Sequence, residues 1–372
     1  MRATLRRRSL VTPIFVIGRG VVGLWQALTL AERGHPVTLV AARSDADSTG
    51  ADEHGAKCTV GRTAENKPAS WYAGGMLAPG CEGETAEPIV ARLGARSIAI
   101  WPKYYPDVQS EGSLVVAHAR DRGELARFHR QTDGAEPIDA DRLAKLEPDL
   151  DGRFRSGLFF PTEAHVNPRA ALEFLSATLA EQGVETVDID PADADRDDLG
   201  GLTSTAPDAR TLIDCRGMGA RAALPALRGV RGEMAVLHAP DVSLSRPVRL
   251  LHPRFPLYIV PWGDHRYMVG ATVIEREDAG PVTARAALEL LGHAYALHPA
   301  FAEARIEQLG AGIRPAFADN APAIVATPGR AYINGVFRHG FLTAPALAEH
   351  MADYLETNAM DPEVFRAGDD QR

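Results

Sequence analysis

The first apolar run of the chain is separated from a second one by a glycine-rich turn and a helical stretch. Residues 13–17 read Pro-Ile-Phe-Val-Ile, and residues 36–40 form a second run rich in β-branched side chains. The segment 24–33 between them has helical character and is followed by Gly34, a residue common just past a helix C-terminus. This succession of strand, turn, helix and strand predicts one βαβ unit.

Farther along the chain the pattern becomes that of an antiparallel sheet. Strand-like runs follow one another through residues 230–275 with no helical stretch between them. Residues 44–70 have no sustained period and predict a long loop. Periodic apolar positions predict further helices at residues 88–105, 120–131, 139–147, 168–182, 282–297 and 345–355.

Because the βαβ pattern and the antiparallel pattern alternate, we predict two domains, each assembled from non-contiguous segments. The fold class is α/β, with α+β character in the second domain: a Rossmann-like domain that binds a dinucleotide, and an antiparallel-sheet domain that binds the substrate. The predicted dinucleotide-binding domain comprises residues 13–98, 157–228 and 308–358. The predicted substrate-binding domain comprises residues 99–156 and 229–307. Residues 1–12 and 359–372 are expected to be flexible tails.

Composition narrows the choice of partners and compartment. The 372 residues are 45% apolar and carry a net charge of −9, which argues against a non-specific nucleic-acid binder because such proteins need a basic surface. Cys58, Cys81 and Cys215 show no metal-ligand spacing, and no metal site is predicted. So few cysteines favour a reducing, cytoplasmic compartment. No uncharged apolar run approaches about 18 residues, so no membrane-spanning helix is expected.

The turn after the first strand is a G-x-G-x-x-G motif. Gly18 permits the tight turn, Gly20 lets the backbone approach a pyrophosphate, and Gly23 lets the helix pack closely on the strand. Val21 and Val22 lie within the motif, and the N-terminus of the helix that follows would face the phosphates. The motif therefore predicts dinucleotide binding, and the alternative is a glycine-rich turn in an unrelated α/β protein.

The acid that usually holds the ribose in such a unit is missing. Ala41 stands at the end of the second strand, where a carboxylate would accept hydrogen bonds from the ribose hydroxyls. Either Arg43, Ser44 or Asp45 holds the ribose in another way, or the affinity for the cofactor is reduced. An arginine here is also compatible with a 2′-phosphate, so NADP remains an alternative at this point.

Three later blocks carry candidate chemistry. Small residues in 69–79 would let backbone amides approach a flat ring, or they form only a tight turn. Arg314 precedes a proline and is either a carboxylate clamp or a structural ion pair, the more common use of a buried arginine. The glycine-bracketed segment 335–345 leads into the last helix, whose N-terminus would stabilise negative charge on a ring carbonyl. The alternative for this segment is a simple capped helix start.

These blocks, in this order, resemble a known family. The signatures lie at residues 73–79, 163–168, 258–261, 269–272, 312–315 and 335–345. From about residue 13 to residue 356 the chain resembles the flavin-dependent amino-acid oxidases of the D-amino-acid oxidase superfamily, and within it the glycine oxidases of the thiamine pathway. The resemblance implies FAD rather than a nicotinamide cofactor. Ala41, the long loop and the step from Pro261 to Gly263, where a basic residue is more usual, depart from the family pattern.

The resemblance also implies which residues form the site. It implies that the substrate is bound by Arg314, Arg338, Tyr258 and Met76. The glycine motif, the end of the second strand and the resemblance together give the expected cofactor-binding residues: Gly18, Gly20, Val21, Val22, Gly23, Ala41, Arg43, Ala69, Ser70, Gly74, Gly75, Met76, Val184, Gly217, Val336, Phe337, Arg338, His339, Gly340, Phe341 and Leu342. Val184 would contact the adenine, with Val187 as the alternative.

The implied activity is the FAD-dependent oxidative deamination of glycine or a similar small amino acid. The α-carbon gives a hydride to the flavin, oxygen reoxidises the flavin with formation of hydrogen peroxide, and the imino acid supplies thiazole synthesis, with thiazole synthase as a partner. The alternatives are a D-amino-acid or sarcosine dehydrogenase or oxidase with another electron acceptor, and a catalytically degenerate flavin-binding module.

Protein side chains are not assigned a catalytic role beyond the flavin. His165, His252 and His339 are expected to be packing residues, because no nucleophile accompanies them. A homo-oligomer is expected, and no membrane or nucleic-acid partner is.

Overall fold

The computed structural model describes residues 13–42, 67–203, 211–252 and 257–367. The predictions for Arg43, Ser44, Asp45 and Cys58, for most of the 44–70 loop, for residues 1–12 and for 368–372 lie outside the described residues.

The secondary structure alternates helices and strands over most of the chain. The strands are β1 (Ile14–Ile17), β2 (Val37–Ala42), β3 (Met76–Leu77), β4 (Ser113–Ala117), β5 (Glu136–Asp139), β6 (Ser156–Phe160), β7 (Ala164–His165), β8 (Glu185–Ile189), β9 (Thr211–Asp214), β10 (Arg228–His238), β11 (Val248–Leu251), β12 (Leu257–Pro261), β13 (Arg266–Gly270), β14 (Arg305–Ala316), β15 (Ala323–Thr327), β16 (Arg330–Asn334) and β17 (Phe365–Arg366). The α-helices are α1 (Val21–Glu32), α2 (Pro79–Glu82), α3 (Pro88–Tyr104), α4 (Arg122–Gln131), α5 (Ala140–Leu146), α6 (Pro168–Glu181), α7 (Ala284–Leu297) and α8 (Gly340–Thr357).

Seven strands form a mostly parallel sheet in the order β17-β15-β16-β9-β1-β2-β8. Strand β1 lies parallel to both β2 and β9, and α1 connects β1 to β2, so the predicted βαβ unit is confirmed. Helix α1 begins at Val21, three residues before its predicted start. The reason is Gly23: because it has no side chain, the first helical turn can form directly against the end of β1.

Eight strands form a second, largely antiparallel sheet in the order β14-β10-β13-β12-β11-β4-β6-β5. Its longest pairing joins β10 to β14 over their whole length. Strands β6 and β14 belong to this sheet, although the predicted boundaries at 157 and 308 place most of both with the first domain. Strand β17 joins the seven-stranded sheet from within the predicted tail. Strand pairing depends on partners far apart in sequence, which explains these differences, and the division into two domains stays a prediction.

The last helix starts earlier than its apolar pattern suggests. Helix α8 begins at Gly340 and contains Pro345, which the sequence placed at the helix start. Proline has no backbone N–H, so the carbonyl of Phe341, four residues back, has no helical donor. The indole Nε1 of Trp101 in α3 donates to this carbonyl at 2.9 Å. This donor offsets part of the cost of a proline inside the helix.

The main core packs α1, α3 and α8 together against the seven-stranded sheet. Trp25 of α1 and Trp101 of α3 meet edge to face with ring centroids 4.8 Å apart, and both are fully buried. A second core lies between α7 and the eight-stranded sheet. None of the helices among the described residues is both long enough and apolar enough to span a bilayer.

The parallel strands decide where a ligand can bind. In an open parallel sheet, ligands bind beyond the carboxyl ends of the strands. The carboxyl ends of β1, β2, β8 and β9 lie along one edge of the seven-stranded sheet, since these strands are parallel and in register. The candidate site lies at this edge.

Candidate active site

A cavity of about 1800 Å³ is lined by residues from both large sheets. Typical small-molecule sites enclose roughly 300–1,000 Å³. The cavity therefore has room for a dinucleotide together with a small second ligand. The lining includes these residues singled out from the sequence: Gly18, Gly20, Val21, Val22, Ala41, Ala69, Ser70, Gly74, Gly75, Met76, Gly217, Tyr258, Arg314, Val336, Phe337, Arg338, His339, Gly340, Phe341 and Leu342.

The glycine motif forms a cradle at the start of α1. Gly18 has a φ of 111°, and a Cβ built on it would lie 2.9 Å from the backbone of Cys215. A Cβ on Gly23 would lie 1.9 Å from the carbonyl oxygen of Gly18, so neither position accepts a larger residue without movement of the backbone. The backbone N–H of Val21 donates to the Ser70 hydroxyl at 3.1 Å. The turn is thus closed on one side and leaves the helix N-terminus facing the cavity, where an anion is stabilised.

The cavity wall beyond the carboxyl ends of β2 and β8 contains residues that the sequence did not single out. Ala41, at the carboxyl end of β2, lies in the wall together with Pro191 and Ala192, which follow β8. Asp195 also lines the cavity and accepts a hydrogen bond from Arg216 at 2.6 Å. The parallel pairing of β2 with β8 could have indicated these positions, since the segments after both strands must then leave the same edge of the sheet.

Among the predicted cofactor residues that the structure describes, Gly23 and Val184 do not line the cavity. Gly23 packs α1 against the turn, which is the role its motif predicts. Val184 stands just before β8, and Glu185 next to it pairs with Thr38 near the start of β2. Val184 therefore lies at the amino end of the strands, opposite the cavity, and packs against the main core. We leave it out of the proposed cofactor contacts. Val187, the alternative, does not line the cavity either.

The segment before α8 has an unusual backbone. Gly335 and Phe337 have φ values of 72° and 46°, and such a conformation is rare for a non-glycine residue such as Phe337. The N–H of Phe337 donates to the carbonyl of Pro315 at 2.8 Å, which ties this segment to the end of β14. Backbone conformations of this kind are often found at functional sites. Here they place Val336 and the start of α8 along the cavity wall.

Arg314 projects from β14 into the wall formed by the eight-stranded sheet. Its guanidinium lies over Gly232 of the neighbouring strand β10, where a Cβ would come within 2.0 Å of it. One guanidinium nitrogen donates to the carbonyl of Thr272 at 3.0 Å. Burial lowers the pKa of Arg314 to about 10, and the charge of Arg338 contributes to this shift. Among the described residues no carboxylate lies within 4.0 Å of this guanidinium, so its charge at neutral pH calls for an anionic ligand.

Tyr258 and Met76 both line the cavity. The ring of Tyr258 sits over two glycines: a Cβ on Gly74 would lie 2.8 Å from it, and one on Gly270 would lie 3.1 Å from it. The indole of Trp262 donates to the carbonyl of Gly74 at 3.2 Å and fixes this small-residue segment. Larger residues at either glycine would push the phenol ring out of place. The sequence blocks 73–79, 258–261 and 312–315 therefore meet in the structure.

Glu82 is a buried acid of this wall that the sequence analysis missed. It ends the short helix α2, and its Oε1 lies 3.8 Å from Arg338 and 3.9 Å from Arg249. Its Oε2 lies 3.7 Å from His339 and has no hydrogen-bond partner. Burial alone would raise the pKa of Glu82, but the charge of Arg338 and the other basic neighbours outweigh burial and lower this pKa to about 2. The side chain is thus a carboxylate at neutral pH.

Of the three candidate histidines, only His339 lines the cavity. Burial lowers its pKa to about 4, although the nearby charge of Glu82 acts in the opposite direction. Burial likewise lowers the pKa of His165 to about 4. Both rings are therefore neutral at neutral pH. The described residues contain no group of three or more histidine, cysteine, aspartate or glutamate side chains that could hold a metal ion.

A second buried acid gives the fold a testable pH dependence. Glu163 accepts hydrogen bonds from the Ser113 hydroxyl and from the N–H of Cys81, but burial outweighs these bonds and raises its pKa from 4.5 to about 7. Between these two values the folded protein holds a proton that the unfolded chain has lost, so stability falls as pH rises through this window. We expect Glu163→Gln to remove this part of the pH dependence of the midpoint of thermal unfolding.

The measurement compares thermal unfolding at pH 5 and pH 8 for the unaltered protein and for Glu163→Gln. The loss in midpoint between the two pH values should be smaller in the variant. Glu181→Gln, at an exposed position at the end of α6, is the control and should behave like the unaltered protein. Identical pH profiles for Glu163→Gln and the unaltered protein would contradict the assignment.

Comparisons with known proteins agree with this architecture. The model of the family described as "DAO: FAD dependent oxidoreductase" matches residues 13–354. A Rhizobium etli protein that carries the name thiamine biosynthesis oxidoreductase ThiO is 47% identical over 351 residues, which is 94% of this chain and 98% of that protein. A glycine oxidase of Bacillus licheniformis is 26% identical over 69% of this chain and 72% of its own length. A crystal structure of glycine oxidase from Bacillus cereus has the same fold, with a TM-score of 0.72 at 20% identity over 94% of this chain and 96% of its own.

Proposed function

The chain belongs to the family of FAD-dependent oxidoreductases, and we propose that it oxidises the carbon–nitrogen bond of glycine or a similarly small amino acid. In the proposed reaction glycine, oxygen and water give glyoxylate, ammonia and hydrogen peroxide. Two electrons pass from the substrate to oxygen by way of FAD, and the imino acid is the first product. The name of the Rhizobium etli relative supports a role for this product in thiamine biosynthesis, where we propose that it supplies thiazole synthesis.

The residues of the cavity fit FAD. Gly18 and Gly20 would leave the backbone open to the pyrophosphate, and the N-terminus of α1 would face its charge. The flavin ring would be held between the start of α1 and the eight-stranded sheet. The residues that line the cavity there are Ala69, Ser70 and the segments 74–76 and 336–342. When bound, FAD supplies the ring that accepts two electrons from the substrate carbon.

One observation carries the proposal: Arg314 lies half-buried in the cavity wall, desolvation lowers the pKa of its guanidinium, and no acid among the described residues pairs with it. A buried charge without a partner is costly, so it is expected only where a ligand supplies the opposite charge. A guanidinium offers two parallel N–H donors that match a carboxylate. We propose that Arg314 binds the carboxylate of the amino acid and thereby fixes the position of the α-carbon. Its charge at neutral pH supports this role.

The neighbouring side chains complete the substrate pocket. Tyr258, fixed over two glycines, would cover the bound amino acid, and Met76 would form an apolar wall beside it. These side chains exclude water from a site that lies next to Arg314, and exclusion of water strengthens the electrostatic hold on the carboxylate. No protein group needs to act as a base, because a substrate with a neutral amine already has the required lone pair. His339, neutral at neutral pH, is treated as part of the wall.

The proposed reaction is tested by its products. Purified protein with bound FAD is incubated in air with glycine, sarcosine or D-alanine, and oxygen uptake, hydrogen peroxide and the keto acid are measured. Equal amounts of oxygen consumed and glyoxylate formed from glycine support the proposal. Glyoxylate formed only with an added dye as acceptor would identify a dehydrogenase instead. No product from any of the three amines would contradict the proposed activity.

Gly232 provides a test of the position of Arg314 that leaves the arginine in place. We expect Gly232→Ala to displace the guanidinium, since its Cβ would lie 2.0 Å from it. Displacement of a positioning group by about 1 Å lowers turnover by about 10²-fold. The protein should still fold and retain FAD, because the far end of a flexible side chain yields before the backbone does. The measurement is kcat/KM for glycine together with the FAD content.

Gly123→Ala is the matched control for this variant. Gly123 lies in α4, and a Cβ there would meet no atom within 4 Å. The control should keep full activity. Unchanged kcat/KM in Gly232→Ala would show that the position of Arg314 does not matter for turnover.

A further inference from the structure

Two guanidinium groups lie at the substrate end of the cavity, and only one of them has an acidic partner. Arg338 lies 3.8 Å from Glu82, whereas Arg314 has no carboxylate within 4.0 Å among the described residues. The charge of Arg338 contributes to the lowered pKa of Arg314, so the two groups are close enough to interact. Without Glu82, this end of the cavity would present two arginines to one ligand.

Two guanidinium groups without acidic partners would suit a ligand with two carboxylates. Each could then bind one carboxylate, and affinity for a dicarboxylate would rise. A carboxylate of the protein beside one of them has the opposite effect, because it neutralises that arginine and repels the second carboxylate of the ligand. Discrimination between related ligands often depends on such a repulsive element.

We propose that Glu82 makes the site selective for substrates with a single carboxylate, because it neutralises Arg338 and leaves Arg314 as the acceptor for the ligand. This inference rests on the proposed function and names the substrate class of the same site. Glu82 acts through Arg338 and is therefore a positioning residue.

The surroundings of Glu82 agree with this role. The side chain lines the cavity and is 11% exposed, so its charge is felt there with little screening by solvent. Arg249, the other arginine near Glu82, does not line the cavity, and it donates to the carbonyl of Cys81 at 2.8 Å. His339 is neutral at neutral pH and adds no charge to balance. Glu82 is thus the acid that offsets Arg338 on the cavity side.

The test compares two ligands that differ by one carboxylate. Acetate and malonate are titrated at pH 8 into the protein with bound FAD, and binding is followed by the change in flavin absorbance. The unaltered protein should bind acetate at least as tightly as malonate. In Glu82→Gln the affinity for malonate relative to acetate should rise by about tenfold, because the repulsion is gone and Arg338 is free to bind. Glu82→Asp, which keeps the charge, should retain the preference of the unaltered protein.

Glu173→Gln is the matched control. Glu173 also lines the cavity and also carries a carboxylate, but it lies on α6 and forms no ion pair with Arg314 or Arg338. The variant makes the same change in charge and should leave the ratio of the two affinities unchanged. A similar rise in Glu173→Gln and in Glu82→Gln would overturn the proposal, because the effect would then come from net charge alone.

The remaining outcomes separate this inference from the proposed function. If the unaltered protein binds malonate more tightly than acetate, the inference is wrong. This comparison uses only the unaltered protein, so it holds even if Glu82→Gln fails to fold. If acetate is preferred but Glu82→Gln leaves the ratio unchanged, the inference fails while the carboxylate site stands. If neither ligand binds to the unaltered protein, the proposed carboxylate site itself fails, and the inference with it. As a second readout, Glu82→Gln should raise kcat/KM for iminodiacetate relative to glycine.

Discussion

Replacing Arg314 by leucine is expected to lower kcat/KM for glycine by about 10²–10³-fold while the protein still purifies with FAD. Removing one partner of a buried charge pair costs about 2–5 kcal/mol. Each 1.4 kcal/mol corresponds to about a tenfold change. Loss of the clamp also removes the orientation of the α-carbon, so both kcat and KM should worsen. The measurement is steady-state oxygen uptake with glycine as substrate.

Two further variants sharpen this test. Arg314→Lys keeps the positive charge but loses the planar pair of donors, and it should recover only part of the activity. Arg305→Leu removes an exposed arginine from the other end of the same strand and should have little effect. If Arg314→Leu oxidises glycine as well as the unaltered protein does, the carboxylate is held elsewhere.

Gly23→Ala is expected to abolish the retention of FAD and to destabilise the fold. The new Cβ would lie 1.9 Å from the backbone carbonyl oxygen of Gly18, and neither atom can avoid the other by rotation of a side chain. The first turn of α1 would have to move away from the end of β1, at a cost of about 1–3 kcal/mol or more. Movement of this turn would also disturb the backbone that faces the pyrophosphate. The visible flavin absorbance per protein and the midpoint of thermal unfolding measure the two effects.

Gly292→Ala is the control for this substitution. Gly292 lies in α7, and a Cβ there would have no neighbour within 4 Å. Alanine at this helical position should keep FAD and stabilise the protein slightly, by up to about 1 kcal/mol. A Gly23→Ala protein that retains FAD at full occupancy would contradict the packing role assigned to this glycine.

Many residues of the cavity wall that we propose holds FAD were predictable, because they are adjacent in sequence. Gly18 and Gly20 form one turn, and the spacing of the motif alone predicts that they lie between a strand and a helix. The segment 336–342 was likewise recognisable, since it leads into the last helix and its end forms the first turn of α8. Local patterns of this kind need no knowledge of long-range pairing. They correctly predicted the strand and the helix of the first βαβ unit.

The parts that the sequence did not indicate depend on contacts between distant segments. Glu82 lies in a four-residue helix, and its partners Arg249 and Arg338 come from far along the chain. Val184 was expected near the adenine but lies at the amino ends of the strands, opposite the cavity. Its position follows from the register of β8 against β2, a long-range pairing that the local sequence does not reveal. The sequence placed the start of α8 too late, at Pro345. The helix tolerates this proline because Trp101, in another helix, donates a hydrogen bond to the carbonyl of Phe341, and the sequence does not reveal this contact.

We propose that one cavity brings FAD and a small amino acid together, with Arg314 binding the carboxylate. An anaerobic titration of the purified, FAD-containing protein with glycine, followed by visible absorbance, is the decisive experiment. We expect the flavin absorbance to be lost as glycine is added, and Arg314→Leu to remain yellow at the same glycine concentrations. A flavin that glycine does not reduce in the unaltered protein would contradict the claim.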